Sequence, residues 1–397
     1  MSEAFRATAP AETMPLAPAG RTPLSYLGGP TRNPWLGRLA FVVVIGLLAA
    51  LPTILDDPTR TRQWAQYLCY AALAVGIDIA WGYGGMLVLG QGLFFGLGAY
   101  AMGMHLSLEQ VGPGQLPRFM SLYGDQTELP LVWRPFENLW VSVVLALAIP
   151  MALAGAFGWL VFSRRVRGPY FALLSQATAL IFTLIMVGQL KTFAGTNGLT
   201  DFQTVFGRNK YDPGTNRFLY FVAAGVLVAV FLVGLHLVRS RYGRLLVAVR
   251  DREDRARFLG YNPAVAKTFG FVVAAGMAGA AGAVSAPVIG IVAPNQFGTL
   301  PSILMVCWVA VGGRGTLYGA ALGAILVNWG STSVSEQWPD TWQYLQGLVF
   351  IVVVAFVPGG LVGLVRLIAG RLTNRRGAEA PDGALEPAPV HEGLAAT

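Results

Sequence analysis

The chain has 397 residues, of which 54% are hydrophobic and only 12% charged, about half the charged share of an ordinary soluble domain. Its mean hydropathy is +0.56, and 28 basic against 20 acidic residues leave a net charge of +8. A water-soluble globule could not hide this much apolar surface, and the 49 glycines follow no collagen period, which leaves a polytopic membrane protein.

Residues 1–33 are rich in Ala, Pro and Thr and carry no long apolar run. They read as a disordered tail, because they cannot bury enough apolar surface to offset ordering entropy. The first apolar run starts near Leu39, too deep for a signal peptide. A helix crossing the bilayer needs about 20 apolar residues. Runs of that kind occur at 39–55, 66–82, 85–104, 139–162, 170–188, 217–238, 269–288, 301–313, 317–330 and 342–365. The expected fold is therefore all-α, a polytopic helix bundle of about ten spans over residues 34–371. The runs at 301–313 and 317–330 are short and read as tilted spans or half-helices. Residues 372–397 form a second disordered tail, biased to Pro, Ala and Glu.

The placement of Lys and Arg sets orientation. With the N-terminus inside, 20 of the 28 basic residues fall in inner segments and 8 in outer ones. Both termini are then cytoplasmic and the number of spans is even. The positive charge belongs to these loops, so no nucleic-acid partner is expected.

Lipid gives apolar faces no reason to associate, and small residues that let backbones approach take over. Gly92 and Gly96, Gly319 and Gly323, and the run Ala274, Ala278, Gly282 have that spacing and read as internal seams. Cys69 and Cys307 sit in apolar runs and read as small buried hydrophobes.

Asp78 is the one acid well inside a span, where a charge costs at least ~2.5–3.5 kcal/mol and normally faces protein or water. It reads equally as a paired structural group and as a lining of the solute path. Gln91, Gln176 and Asn328 are neutral polar groups inside spans, suited to a small polar uncharged solute, although interhelical hydrogen bonding is their commoner use.

Residues 239–268 form the longest basic loop. Leu245, Val249, Ala256 and Leu259 recur near helical spacing, and Asp251–Arg255 and Glu253–Arg257 stand at i,i+4 with the acid first. The expectation is one short amphipathic helix over 244–260, ended by Gly260 and turned by Asn262-Pro263. It reads as a lipid-surface helix or as a docking element for a cytoplasmic partner. No G-x-x-x-x-G-K-[ST] is present, so the chain holds no ATP by a P-loop. The three histidines do not cluster with Cys or carboxylates, no Ser-His-Asp set shares a pocket, and neither cofactor nor enzymatic chemistry is expected. The Gly-rich stretch 312–316 reads as a tight turn.

The loop RDREDRARFLGYNPAVAKTFGF, the segment ILMVCWVAVGGRGTLYGAALGAILVN and the closing VPGGLVGL resemble the permease subunits of branched-chain amino acid ABC importers. LCYAALAVGIDIAWGYGGMLVLGQG (68–92), TELP with nearby aromatics (127–136) and AGTNGLTDF (194–202) look like the urea branch of that family. The likeness covers roughly 64–366. It implies a multi-pass subunit of the bacterial inner membrane that carries urea. Its partners would be a related permease subunit, two cytoplasmic ATPases and an extracytoplasmic solute-binding protein. It also implies that Arg250, Asp251, Glu253, Arg255, Arg257, Gly260 and Asn262 belong to the element that docks on the ATPase. Asn197, with Gly198 and Asp201, falls in the motif that marks the urea branch. Gln91 stands where such permeases often carry His in LGHG, which removes a titratable group. The rival readings are a branched-chain amino acid permease and, from another class, a self-sufficient secondary transporter or channel.

Overall fold

The computed structural model describes residues 57–364 except 113–114, 124–127, 167, 201 and 357–358, together with 46 and 50–52. Both expected tails, nearly all of the expected span at 39–55, and Asp201 lie outside the described residues.

The long helices are α1 (Pro58–Asp78), α2 (Gln91–Val111), α3 (Leu139–Ser163), α4 (Pro169–Gly188) and α5 (Pro213–Arg239). The basic loop holds α6 (Arg241–Asp251) and α7 (Glu253–Phe258). Then come α8 (Pro263–Ile289), α9 (Thr299–Gly312), α10 (Leu317–Gln337) and α11 (Trp342–Phe356). The described residues add one small antiparallel hairpin, β1 (Thr204–Val205) with β2 (Arg208–Asn209), in which Val205 faces Arg208.

Local chemistry explains where several helices begin. Asp57, Asp212 and Asn262 each cap a helix with a side-chain oxygen that accepts a backbone N–H two residues on, and each is followed by Pro at the first helical position. Proline is suited to that position because its missing N–H has no intrahelical partner there anyway.

Among the described residues four helices, α3, α4, α5 and α8, are each long and apolar enough to cross a membrane, and α9 and α10 meet that measure only together. They bend by 118° at the Gly-rich turn, where Gly313 (φ +123°) and Gly315 (φ +78°) take backbone shapes that favour glycine. The two short runs at 301–313 and 317–330 are thus two helices that meet at a sharp bend. The run expected at 85–104 starts later than expected: α1 ends in a π-helical turn (Ile79–Tyr83), Gly85 has φ +67°, and α2 begins only at Gln91.

α8 is the axis of the bundle. It packs on α2, α3, α1 and α5, and its small residues Ala274, Ala275, Ala278 and Ala281 are essentially inaccessible. A Cβ added at Gly282 would stand 1.9 Å from the Phe95 carbonyl oxygen of α2, and one at Gly279 2.4 Å from the Ala146 carbonyl oxygen of α3. From the other side, a Cβ at Gly98 would meet the Gly279 carbonyl oxygen at 2.1 Å. The expected run Ala274, Ala278, Gly282 is thus an internal seam. So are the other two pairs: Gly92 and Gly96 lie against Ser302 and Phe297, and Gly319 and Gly323 against Gly312.

Arg62 of α1 closes the far end of α8. Its guanidinium donates to the carbonyl oxygens of Val288 and Ile289, which have no intrahelical donors and carry the negative end of the helix dipole.

Overpacking a close seam costs about 1–3 kcal/mol or more, and backbone cannot retreat as a flexible side chain can. Gly282→Val should abolish a monodisperse peak of detergent-solubilised protein, or lower its melting temperature sharply. Gly225→Ala, where nothing lies within 4 Å, should leave both unchanged.

Candidate functional site

The basic loop folds as a helical hairpin rather than one helix. α6 is amphipathic and buries Leu246, Val247 and Val249. It stops at Arg252, whose extended backbone (φ −148°, ψ 84°) separates it from α7. That break corrects two readings. The Asp251–Arg255 pair does not form, because the helix is interrupted between them, and Asp251 bonds its neighbour Arg250 at 2.9 Å. Leu259, read as part of the apolar stripe, points outward and is 72% exposed.

Glu253 fastens the hairpin to α8. It binds Arg257 at 3.1 Å in the expected i,i+4 pair, and Lys267 of α8 at 2.6 Å, with both Glu253 and Lys267 largely covered. Tyr242 adds a second clamp by donating its hydroxyl to the Ala266 carbonyl, and burial pushes its phenol up from the ordinary value. At the other end of α7, Gly260 (φ +87°) closes a Schellman turn: its N–H donates to Arg257 at 3.0 Å and that of Tyr261 to Ala256 at 3.2 Å. Asn262 then caps α8, accepting from the Ala264 N–H at 3.0 Å. Of the residues assigned to docking, Gly260 and Asn262 therefore shape the loop, whereas Asp251 and Arg255 are exposed.

Arg250 is the link to the bundle. Its guanidinium donates to the Gly82 carbonyl oxygen at 2.5 Å, and a Cβ at Gly85 would stand 2.5 Å from its Cγ. Gly82 also touches Asp78: a Cβ there would lie 2.1 Å from the Asp78 Oδ1. That same oxygen accepts the Gly315 N–H at 2.6 Å, and Arg314 stacks 5.2 Å over the Trp81 ring. One junction thus ties together the end of α6, the π-helical turn and the turn between α9 and α10. Asp78 is fully buried in it, with Arg250 and Arg314 acting on its charge. It stands at this junction, and its Oδ2 is buried without a hydrogen-bond partner among the described residues.

The other polar candidates differ in their contacts. Gln91 donates to the Ala274 carbonyl at 3.1 Å and pins the start of α2 to α8. Asn328 donates to Ala324 of its own helix at 2.8 Å. Asn197 is exposed on a turn whose next residues matter structurally. Gly198 has φ +68°, and Leu199 and Val292 exchange two backbone hydrogen bonds of 2.9 Å. Gln176 is different. Its amide nitrogen and oxygen are both buried without a hydrogen-bond partner among the described residues.

Residues 62–354 match the family model described as branched-chain amino acid transport system / permease component. The chain belongs to that family. Two relatives are the high-affinity branched-chain amino acid transport system permease proteins LivM. That of Escherichia coli is 26% identical over 83% of this chain and 76% of its own length. That of Salmonella typhimurium is 26% identical over 75% and 69%. The fructose import permease protein FruF of Bifidobacterium longum is 28% identical over 48% of this chain and 54% of its own length. No solved structure matches.

For this permease component, charge spacing directed attention to charged loop residues and missed the apolar tip. Phe258 is 92% exposed, and Leu259 and Tyr261 stand beside it. The signal was present in the sequence as three large apolar residues around a glycine in an otherwise charged loop.

The junction yields a graded expectation. Asp78→Asn keeps an oxygen for the Gly315 N–H. Asp78→Ala leaves that donor buried and unpaired, at about 1–3 kcal/mol. Asp78→Ala should therefore lower transport and thermal stability more than Asp78→Asn. Arg250→Ala should cut transport more than tenfold while membrane abundance on an immunoblot is kept.

Proposed function

We propose that this chain is the membrane-spanning permease subunit of an ATP-driven ABC importer for branched-chain amino acids, in the bacterial inner membrane. The observation that carries this reading is the family match over 62–354, together with LivM relatives aligned over most of their own length. The urea expectation rests on three short segments and is set aside for the longer likeness.

In this reading the bundle has ten spans with both termini cytoplasmic, which accords with the distribution of Lys and Arg. The α6–α7 hairpin then lies on the cytoplasmic side. Its partners are a second related permease subunit, two ATPases and an extracytoplasmic binding protein. The tip at Phe258 and Leu259 docks on an ATPase, with Arg255 and Asp251 at its rim. Apolar anchors inside a charged rim are the usual make-up of an interface centre. ATP binding moves the hairpin, and Arg250 carries that movement to Gly82 and Asp78. This drives alternating access provided that the ATP state binds one conformation better than the other. The chain itself performs no covalent chemistry.

Uptake of labelled leucine and labelled urea by cells with and without this gene tests the solute. Loss of leucine uptake with urea unchanged is the expected outcome, and the reverse would install the urea reading. The docking tip has its own check. Phe258→Asp should abolish uptake and release the ATPases from the purified complex. The chain itself should remain folded, because Phe258 is 92% exposed. Glu253→Arg is a poorer probe, since it also breaks the Lys267 bridge.

A further inference from the structure

The two ends of the bundle are tied in the same way. α1 and α8 run antiparallel and meet closely, so that a Cβ added at Gly76 would stand 3.0 Å from the Ala274 carbonyl oxygen. At one end the α6–α7 hairpin is fastened to the close of α1 by Arg250 and to the start of α8 by Glu253 and Lys267. At the other end the roles are exchanged. Arg62, near the start of α1, donates to the last carbonyl oxygens of α8, those of Val288 and Ile289. At 1.5 Å per residue, the 21 residues of α1 put these two ties about 30 Å apart.

A second hairpin stands over that other end. β1 and β2 turn at Phe206 and Gly207, whose N–H groups both donate to the Glu109 carboxylate on the last turn of α2, that of Phe206 at 3.2 Å. The Arg208 guanidinium lies 4.9 Å over the Phe218 ring of α5. Lys210, just after β2, comes down on the end of α8. A Cβ at Gly290 would run into its ammonium group and stand 2.9 Å from the Arg62 guanidinium. Gly290 also has φ +82°, so glycine is required there both for room and for backbone shape. Leu199, a few residues before β1, exchanges two backbone hydrogen bonds of 2.9 Å with Val292. The ends of α1, α2, α5 and α8 thus meet beneath one small hairpin.

The far side of this hairpin is open. Arg208, Asn209 and Tyr211 are exposed, as is Arg217 in the first turns of α5. Two acids here are engaged by main chain: Glu109 holds the hairpin turn and Asp212 caps α5. The exposed groups offer positive charge and hydrogen bonds, which suit an acidic protein surface.

We propose that this hairpin receives the extracytoplasmic solute-binding protein and that Arg62 passes the contact on to α1 and α8. The proposal rests on the importer reading above and adds the place and route of the outer signal. A docked protein that displaces the hairpin displaces Lys210 and Val292, and with them the end of α8 that Arg62 holds. α8 starts at the α6–α7 hairpin, so one helix joins the two docking elements. Arg62 is a positioning residue, acting through the end of α8 and not on the solute.

The test is ATP hydrolysis by the complete transporter in lipid nanodiscs, titrated with its leucine-loaded solute-binding protein. Coupling between two sites is typically worth about 5–150-fold. Arg208→Glu should raise the binding-protein concentration for half-maximal stimulation about tenfold. Arg62→Ala should instead lower the ratio of stimulated to unstimulated rate at saturation about tenfold, with the half-maximal concentration unchanged. Arg62→Lys keeps a charged donor for the α8 carbonyls and should restore part of that ratio. Lys210→Ala, with the same expectation, serves if Arg62→Ala fails to assemble. A merely structural Arg62 would lower both rates and the melting temperature together, and an unchanged ratio in whichever of these variants assembles overturns its role. An unchanged half-maximal concentration in Arg208→Glu overturns the docking place. Both results leave the importer reading standing when the unaltered complex responds to the binding protein. An unaltered complex that neither responds nor carries leucine overturns that reading, and the hairpin with it.

Discussion

Backbone contact along α8 is the constraint on which the rest of the bundle depends. In lipid there is no gain from hiding one apolar face against another, so helices hold together by packing and by interhelical hydrogen bonds. α8 meets α2 and α3 at distances that admit no Cβ at Gly98, Gly279 or Gly282. Its small faces leave the large side chains to fill the spaces between helices, as Phe94, Phe162 and Phe171 do around Phe271. The outer helices α3, α4 and α5 can then present Trp, Leu, Ile and Phe outward, which suits lipid or a partner subunit.

A rigid axis changes what the loops can do. α8 begins at the Asn262 cap and ends at the Arg62 clamp, so its two ends are fixed to different parts of the chain. The hairpin of α6 and α7 is fastened to α8 by Glu253, Lys267 and Tyr242. It is fastened to α1 by Arg250. A push on its apolar tip reaches both helices through short polar contacts. The junction at Asp78 adds the turn between α9 and α10.

Its glycines at 82, 85 and 315 have a shared cause. Each lies where a charged side chain or a backbone N–H must come within hydrogen-bonding reach of the main chain, and Gly85 and Gly315 also take positive φ. The same economy shapes the contact of α2 with the turn Pro294–Phe297, where Gly96 makes room for an aromatic ring. Small residues serve close packing in one place and open a space in another. The difference lies in whether the neighbour is backbone or a ring.

Much of this protein is legible without coordinates. Hydropathy marks the long runs because a spanning helix must satisfy its backbone internally and be apolar for about 20 residues. Small-residue spacing marks the seams, and the loop at 239–268 stands out by charge. These are local properties, written in neighbouring residues. The break at Arg252, the outward turn of Leu259 and the burial of Asp78 against Gly315 depend on residues far apart in sequence. So does the meeting of α2, α4 and the turn at Pro294–Phe297. Periodicity assigns a residue to a helix face, but which face meets which neighbour is decided by backbone approach between helices. For that reason the elements could be read from the sequence, whereas the junction had to await the packed bundle.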